Sequence, residues 1–411
     1  MPPAPPTVGP LTPAPPPAPA ALDALPTVVV PGLYVHVPFC FHKCHYCDFY
    51  SITRQKPDRM AAFVELVLAE ADQWRAAGGP TVRPRTVFFG GGTPSLLPID
   101  DMRRLLLGLR ERFDFAGLEE WTVEANPATV TAEYAAMLRE EKVDRLSFGA
   151  QSFRPEDLAT LERHHAPDDV ARSVELARAA GFRRLNVDLI YAIPGQDLAA
   201  WADNLDRAVA LGTEHVSCYA LTYEPTTPMA VKKRLGRLRA VEDEAELEML
   251  HHTRRRLRAA GLEPYEVSNY ARAGQACRHN MLYWHGEGYV GLGPSAASHV
   301  AGTRWKNRGH LREWEDAIRA GQRPVTEAEQ LTPRHRAGEL AMLQLRLAEG
   351  IVLADFERRC GFDAHRLFAD VIERYARVGL LNVDDAAIRL TDRGLNVADA
   401  VAADFLAAAG V

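Results

Sequence analysis

Short β-rich runs recur along this chain and alternate with longer stretches in which apolar residues return every three or four positions. The runs are Leu33–Val37, Arg85–Phe89, Trp121–Glu124, Arg145–Phe148, Leu185–Ile190 and His215–Leu221, and they predict strands. Between them, Phe63, Val64, Val67, Leu68 and Ala71 form one helical stripe. Met102, Leu105, Leu106 and Leu109 form a second, and Leu176, Ala177 and Ala180 a third. Thr131 ahead of Tyr134, and Pro155-Glu156-Asp157, read as helix starts. Six strand–helix units in succession, at a spacing of roughly 30 residues, predict an α/β fold built as a parallel barrel. Six units fall short of the closed eight, so the barrel is expected to be an incomplete (β/α)6 barrel.

The pattern changes near residue 325. Gln322-Arg323-Pro324 reads as a linker. Beyond it come helical runs at Arg334–Leu347, Leu353–Cys360 and Ala364–Val378. Two extended pieces follow, Leu380–Val383 and Ala387–Leu390, and a last helix is expected from about Thr391. Helices with a small hairpin resemble a winged-helix module. The other end differs in composition: ten of the first 20 residues are proline, and the first charged residue is Asp23. Proline blocks helix and removes backbone donors, so a disordered tail is expected. The expected organisation is a tail over 1–28, a barrel with an extension over 29–324, and a helical, winged-helix-like domain over 325–411.

Composition narrows the function classes. The chain has 411 residues, 47% of them hydrophobic and 25% charged, with a formal net charge of -6. That is the balance of a globular protein, and its acidity argues against nucleic acid as a partner. No run is long and apolar enough to span a membrane. The start lacks the basic and apolar segments of an export signal, so a cytoplasmic location is expected.

Six cysteines are too few for a disulfide scaffold, yet three crowd one loop after the first strand. The segment is Tyr34-Val-His-Val-Pro-Phe-Cys40-Phe-His-Lys-Cys44-His-Tyr-Cys47-Asp-Phe. Thiolates spaced Cys-x3-Cys-x2-Cys suit one metal centre. A zinc site would need a fourth ligand, which His36, His42 or His45 could supply. A [4Fe–4S] cluster on three thiolates would keep one iron open, as catalytic sites do.

Polar residues punctuate the strand ends. Phe88-Phe89-Gly90-Gly91-Gly92-Thr93-Pro94-Ser95 follows the second strand, and its glycines allow close backbone approach and offer N–H groups to a carboxylate. Glu124 ends the third strand, Gln151 follows the fourth, Arg163 is expected on the next helix, and Asp188 is in the fifth strand. Parallel barrels carry their active sites at these ends. A carboxylate there suits a ribose hydroxyl pair or an ammonium group, and a glutamine suits neutral polar atoms.

The cysteine spacing resembles the signature of radical S-adenosylmethionine (SAM) enzymes. In that family the open iron of a [4Fe–4S] cluster is chelated by SAM, which the reduced cluster cleaves to a 5′-deoxyadenosyl radical. The resemblance places Tyr46 near the adenine and the glycine stretch near the SAM amino group. The further order Glu124-Ala-Asn-Pro, Ser147-Phe-Gly-Ala-Gln-Ser152 and Asp188-Leu-Ile-Tyr-Ala-Ile-Pro-Gly-Gln196 is similar to the oxygen-independent coproporphyrinogen III dehydrogenases and the related HemW-type heme chaperones. The similarity runs from about residue 30 to the C-terminus and includes Leu390-Thr-Asp-Arg-Gly394. It implies SAM contacts at Tyr34, Gly91, Gly92, Thr93, Glu124, Gln151, Arg163 and Asp188, and cluster ligation by Cys40, Cys44 and Cys47.

Two features separate the branches. The dehydrogenases carry a further cysteine two residues after the third, where this chain has Phe49. The chaperones carry His-Asn-x-x-Tyr-Trp, here His279-Asn280-Met281-Leu282-Tyr283-Trp284. A neutral imidazole can ligate heme iron, and aromatic rings suit a porphyrin face. His279, Tyr283 and Trp284 are therefore expected to contact heme. Pro294 and Ser295 depart from the family's glycine- and alanine-rich pattern. The resemblance implies a heme chaperone that hands heme to acceptor hemoproteins such as respiratory ones. The alternative is decarboxylation of coproporphyrinogen III to protoporphyrinogen IX.

Overall fold

The computed structural model describes residues 22, 25–76 and 78–410. The proline-rich stretch of the expected tail, residues 1–21, lies outside the described residues. Leu22 and Leu25, also assigned to the tail, are buried in the main core.

The expected strands form, five with slightly wider bounds and the sixth one residue shorter than His215–Leu221. They are β1 (Val29–Val37), β2 (Thr81–Gly91), β3 (Glu120–Ala125), β4 (Arg145–Gln151), β5 (Arg184–Tyr191) and β6 (His215–Ala220). Each pairs in parallel with the next, so all six C-terminal ends open on one face. Six more strands complete the sheet: β7 (Glu263–Pro264), β8 (Asn269–Ala271), β9 (Tyr289–Leu292), β10 (Ala297–Val300), β11 (Thr303–Asn307) and β12 (Val325–Gln330). The order across it is β12-β11-β10-β9-β1-β2-β3-β4-β5-β6-β8-β7. The sheet is thus a partial barrel with β9 as a seventh parallel strand beside β1. Sequence pattern missed β9 because it is four residues long and flanked by glycines. Its fit is close: a Cβ on Gly32 would sit 2.7 Å from that of Tyr289.

Helices cover the sheet. Phe63, Val64, Val67 and Ala71 of the helix Pro57–Ala76 are fully buried, each large side chain contributing about 1.5–3 kcal/mol. The third stripe differs from expectation. In the helix Pro167–Ala179 the buried face is Val170, Ser173, Val174 and Ala177, whereas Leu176 and Ala180 stay partly exposed. The register is set by the helix start at Pro167, which points Leu176 away from the sheet.

The C-terminal unit has its own core around Leu345, Ile351, Phe356, Phe368 and Phe405. A small antiparallel sheet joins Ile351–Val352, Ala387–Leu390 and Leu381–Val383. Val325–Gln330, assigned to this unit from sequence, instead pairs with β11, and the unit's first helix is Pro333–Gln344. The expected helix over 364–378 breaks at Phe368, whose ψ of 23° ends Ala364–Leu367 before Ala369–Arg377 begins. The last helix spans Ala398–Ala408. Thr391 instead accepts from the Gly394 N–H at 3.0 Å, starting a 3-10 turn over Gly394–Val397. Among the described residues no helix is long and apolar enough to cross a membrane.

Candidate functional site

The cysteine loop leaves β1 and lies over the C-terminal ends of the strands. A two-residue pairing of Phe39–Cys40 with Ile52–Thr53 closes it, and the Cys47 N–H donates to the Cys44 carbonyl at 3.2 Å. Cys44 is buried, Cys40 and Cys47 half-buried. Thr93 Oγ1 lies 3.7 Å from Cys40 Sγ, and Arg163 Nη1 lies 3.8 Å from Cys44 Sγ. Burial pushes the Cys40 thiol up and the Cys47 thiol up to about 11, with the neighbouring sulfurs adding to both shifts.

Among the described residues no three His, Cys, Asp or Glu side chains converge as a cage for a single ion. The thiolates of an iron–sulfur cube bind separate irons and so stand farther apart than ligands of one ion. The histidines weighed as zinc ligands are engaged elsewhere. His36 bonds Tyr34 Oη at 3.0 Å and the Tyr50 carbonyl at 2.8 Å, and His42 and His45 each meet Glu162 at 2.9 Å. The donor set therefore fits a cluster on three thiolates better than a zinc ion.

The glycine stretch serves the loop itself. Gly91 has φ of +100°, and a Cβ there would overlap the His36 ring. A Cβ on Gly92 would lie 2.7 Å from the Val37 and Phe39 carbonyl oxygens. The N–H groups expected to meet a carboxylate are already committed. Gly92 donates to Val37 at 2.8 Å and Thr93 to Phe39 at 2.7 Å, while Gly91 donates to Glu124. Close packing of the two loops requires glycine at these two positions.

The other strand-end residues converge beneath the loop. Glu124 stands against Gly90, whose Cβ would meet its Oε2 at 2.9 Å. Asp188 accepts from Asn186 Nδ2 at 2.8 Å and Ser147 Oγ at 3.1 Å. Burial raises both acids, Glu124 to about 8 with Asp188 adding repulsion. A cationic group beside them would offset the burial and repulsion that raise these two carboxylates. Gln151 sits at a bulge with φ of +65°. Arg163, expected on a helix, lies just past one, because the left-handed Glu162 ends Pro155–Leu161; it donates from Nη2 to the Gly149 carbonyl at 2.5 Å, and its buried Nε has no partner among the described residues. Tyr46 packs with Leu161, Ile190, Ile193 and Met229. Tyr34, on β1, stacks on Phe88 at 6.4 Å.

His279, Tyr283 and Trp284 lie elsewhere. The helix Arg278–Trp284 seats its first turn at the N-terminal ends of the strands, opposite the cysteines. There Glu120 of β3, fully buried, accepts from the Arg278 N–H at 2.9 Å, the His279 N–H at 3.0 Å and Arg184 Nη2 at 2.6 Å. His279 has 0% exposure. Its Nδ1 bonds Thr86 Oγ1 and its Nε2 bonds Tyr283 Oη, both at 2.8 Å, and its ring stacks on Phe88 at 5.3 Å. Both His279 nitrogens are thus hydrogen-bonded and enclosed, so a contact between this ring and heme would require one of these bonds to open. Trp284 lies under Arg346 of the C-terminal unit, 4.9 Å from its guanidinium carbon. Sequence reading missed Glu120 and Arg145, the buried charges at this closed end, because each is the first residue of an apolar strand.

Binding of a cation beside the two acids has a measurable consequence. Glu124→Ala or Asp188→Ala should each weaken SAM binding by about 1–3 kcal/mol. SAM affinity should also rise with pH through about 8, as Glu124 ionises. Isothermal titration on the cluster-loaded protein checks both; unchanged affinity in both variants would remove these acids from the site.

The Radical SAM superfamily profile matches residues 34–208, and the HemN C-terminal domain profile matches residues 331–397. The chain is 34% identical to the heme chaperone HemW of Bacillus subtilis, over 91% of this chain and 98% of that one. It is 38% identical to the heme chaperone HemW of Mycobacterium tuberculosis, over 91% and 94%. The fold is similar to that of coproporphyrinogen III oxidase (HemN) from Escherichia coli, with a TM-score of 0.80 at 22% identity, covering 92% of this chain and 90% of that one.

Proposed function

The chain belongs to the HemW family within the radical SAM superfamily, and from that premise we propose that it is a heme chaperone, which binds heme, one [4Fe–4S] cluster and SAM and passes heme to acceptor hemoproteins. The observation that carries this reading is the near full-length likeness to relatives that are themselves named heme chaperones. Phe49, 68% exposed where the decarboxylating branch has a further cysteine, agrees with it.

Cys40, Cys44 and Cys47 would hold the cluster and leave one iron for SAM. When bound and reduced, the cluster supplies the electron that can cleave the SAM sulfonium. The protein's own part is to bind and orient. Glu124 and Asp188 accept the ligand's ammonium or hydroxyl groups. Gln151 and the free Nε of Arg163 offer hydrogen bonds to its neutral and anionic ends. Tyr34 and Tyr46 supply flat apolar surface, and Gly91, Gly92 and Thr93 fix the loop that carries the sulfurs. Arg163, beside Cys44, also counters part of the rise that burial gives the Cys40 thiol.

The test uses one anaerobic, cluster-loaded preparation. Heme should bind with a Soret band and pass to an apo-cytochrome added in trans, while coproporphyrinogen III with SAM stays unconverted. Formation of protoporphyrinogen IX would replace this reading with the dehydrogenase one.

A further inference from the structure

The motif helix Arg278–Trp284 packs chiefly against two elements: β2, and the helix Pro333–Gln344, the first of the C-terminal unit. β2 is held on both edges, by β1 and β3. Heme that meets His279, Tyr283 or Trp284 must therefore come from the other side, along the seam between the motif helix and the C-terminal unit.

The unit has what a rigid-body movement needs. Its core around Leu345, Ile351, Phe356, Phe368 and Phe405 shares no residue with the main core. The chain crosses from barrel to unit once, at Leu331-Thr332, between β12 and the helix Pro333–Gln344. A few residues at such a crossing can absorb a rotation. The contacts that hold the unit down are largely polar. The Arg346 guanidinium covers the Trp284 ring, and Arg359 Nη1 donates to the His285 carbonyl at 3.1 Å. The Ala348 N–H donates to the Tyr265 carbonyl at 3.0 Å. On the far side Asn396 Oδ1 accepts from Arg254 Nη1 at 2.9 Å. A polar interface between two separate cores favours relative motion.

The seam is also incompletely satisfied. Glu266 bridges to Leu347 of the unit, yet its Oε2 is buried without a hydrogen-bond partner among the described residues. The same holds for Trp284 Nε1 and Arg346 Nε. A buried polar atom in that state carries a desolvation cost that no bond offsets. Opening the seam returns all three to water, which lowers the cost of separation. We propose that the C-terminal unit is a hinged cover over the motif helix, latched by Arg346 on Trp284 and by Asn396 on Arg254. Heme seats in the opened seam against the Trp284 ring, whose face suits a porphyrin, and holds the cover off the barrel while it stays bound. The inference rests on the heme-chaperone reading above and adds to it the route by which heme arrives and leaves.

Amide hydrogen exchange on the anaerobically reconstituted full chain, with and without hemin, tests it beside a hemin titration followed in the Soret region. In the parent, saturating hemin should speed exchange of the Ala348 amide by about tenfold or more. Amides within the helices Pro333–Gln344 and Ala398–Ala408 should keep their protection, because the unit moves without unfolding. The double variant Arg346→Ala/Asn396→Ala should expose the Ala348 amide without hemin and raise the hemin association rate about threefold or more, since a larger fraction of the protein stands open. Its iron and sulfide content should stay at the parent level. Should the double substitution unfold the unit, the parent's exchange decides alone. A full Soret change with Ala348 exchange unchanged or slowed overturns the cover and leaves the chaperone reading intact. So does loss of protection throughout the helix Pro333–Gln344 when the parent binds hemin. A parent protein that binds no hemin overturns the chaperone reading, and the cover with it.

Discussion

Replacing any one of Cys40, Cys44 and Cys47 with alanine should abolish the brown iron–sulfur chromophore, with iron and sulfide falling to background after anaerobic reconstitution. Three thiolates already leave one iron of a cube without a protein ligand, so a second open iron exposes the cluster to loss. The loop offers no substitute. His36, His42 and His45 are each bonded away from the sulfurs, and Thr93 and Arg163 only approach them. The remaining cysteines are too far off to help. Cys277 lies at the closed end of the barrel beside Glu120, Cys218 is buried in β6, and Cys360 belongs to the C-terminal unit. Alanine at any of these three should leave the cluster content at the parent level. Burial holds the Cys47 thiol near 11, so binding must release protons and reconstitution should proceed faster as pH rises. Tight stoichiometric zinc without a cluster in the parent protein would reverse the assignment.

How much of this was legible in the sequence depends on the range of the signal. The six parallel strands announced themselves as β-rich runs with apolar residues at least every second position, as in Trp121-Thr-Val-Glu124 and Leu185-Asn-Val-Asp-Leu-Ile190. The two acids were legible as charges within such strands, Glu124 next to the end of its own and Asp188 inside the fifth. β9 was not, since four residues held by glycines carry no period, and its place beside β1 depends on a contact more than 250 positions away in the chain. The glycine stretch reads as a place of close approach, and the structure brings the cysteine loop against it. Local sequence reports that a side chain is absent and not what fills the space. The pairing of His42 and His45 with Glu162 was not legible, because it joins two segments about 120 residues apart.

The motif His279-Asn280-Met281-Leu282-Tyr283-Trp284 shows the same gap between residue type and role, and it gives the second large effect. His279→Ala should destabilise the cluster-free protein by about 3–5 kcal/mol, the range for emptying a large, fully buried side chain. The loss has two sources. An imidazole-sized cavity opens against Phe88, and the hydroxyls of Thr86 and Tyr283 lose their shared partner inside the barrel. The ring is well suited to this place only when neutral. Burial pushes it down to about 4, and two hydroxyls can bond both nitrogens of one tautomer, one as donor and one as acceptor. The helix behind it is fixed by the Glu120 carboxylate, which receives two of its first N–H groups and thereby ties it to Arg184. A urea midpoint measured beside a hemin titration separates the two roles. Closure of the barrel is the role of His279 if the midpoint drops and the folded fraction still binds hemin with the parent spectrum. An unchanged midpoint with loss of the Soret band would return His279 to the iron, and the hydrogen bonds to Thr86 and Tyr283 would then have to open when heme arrives.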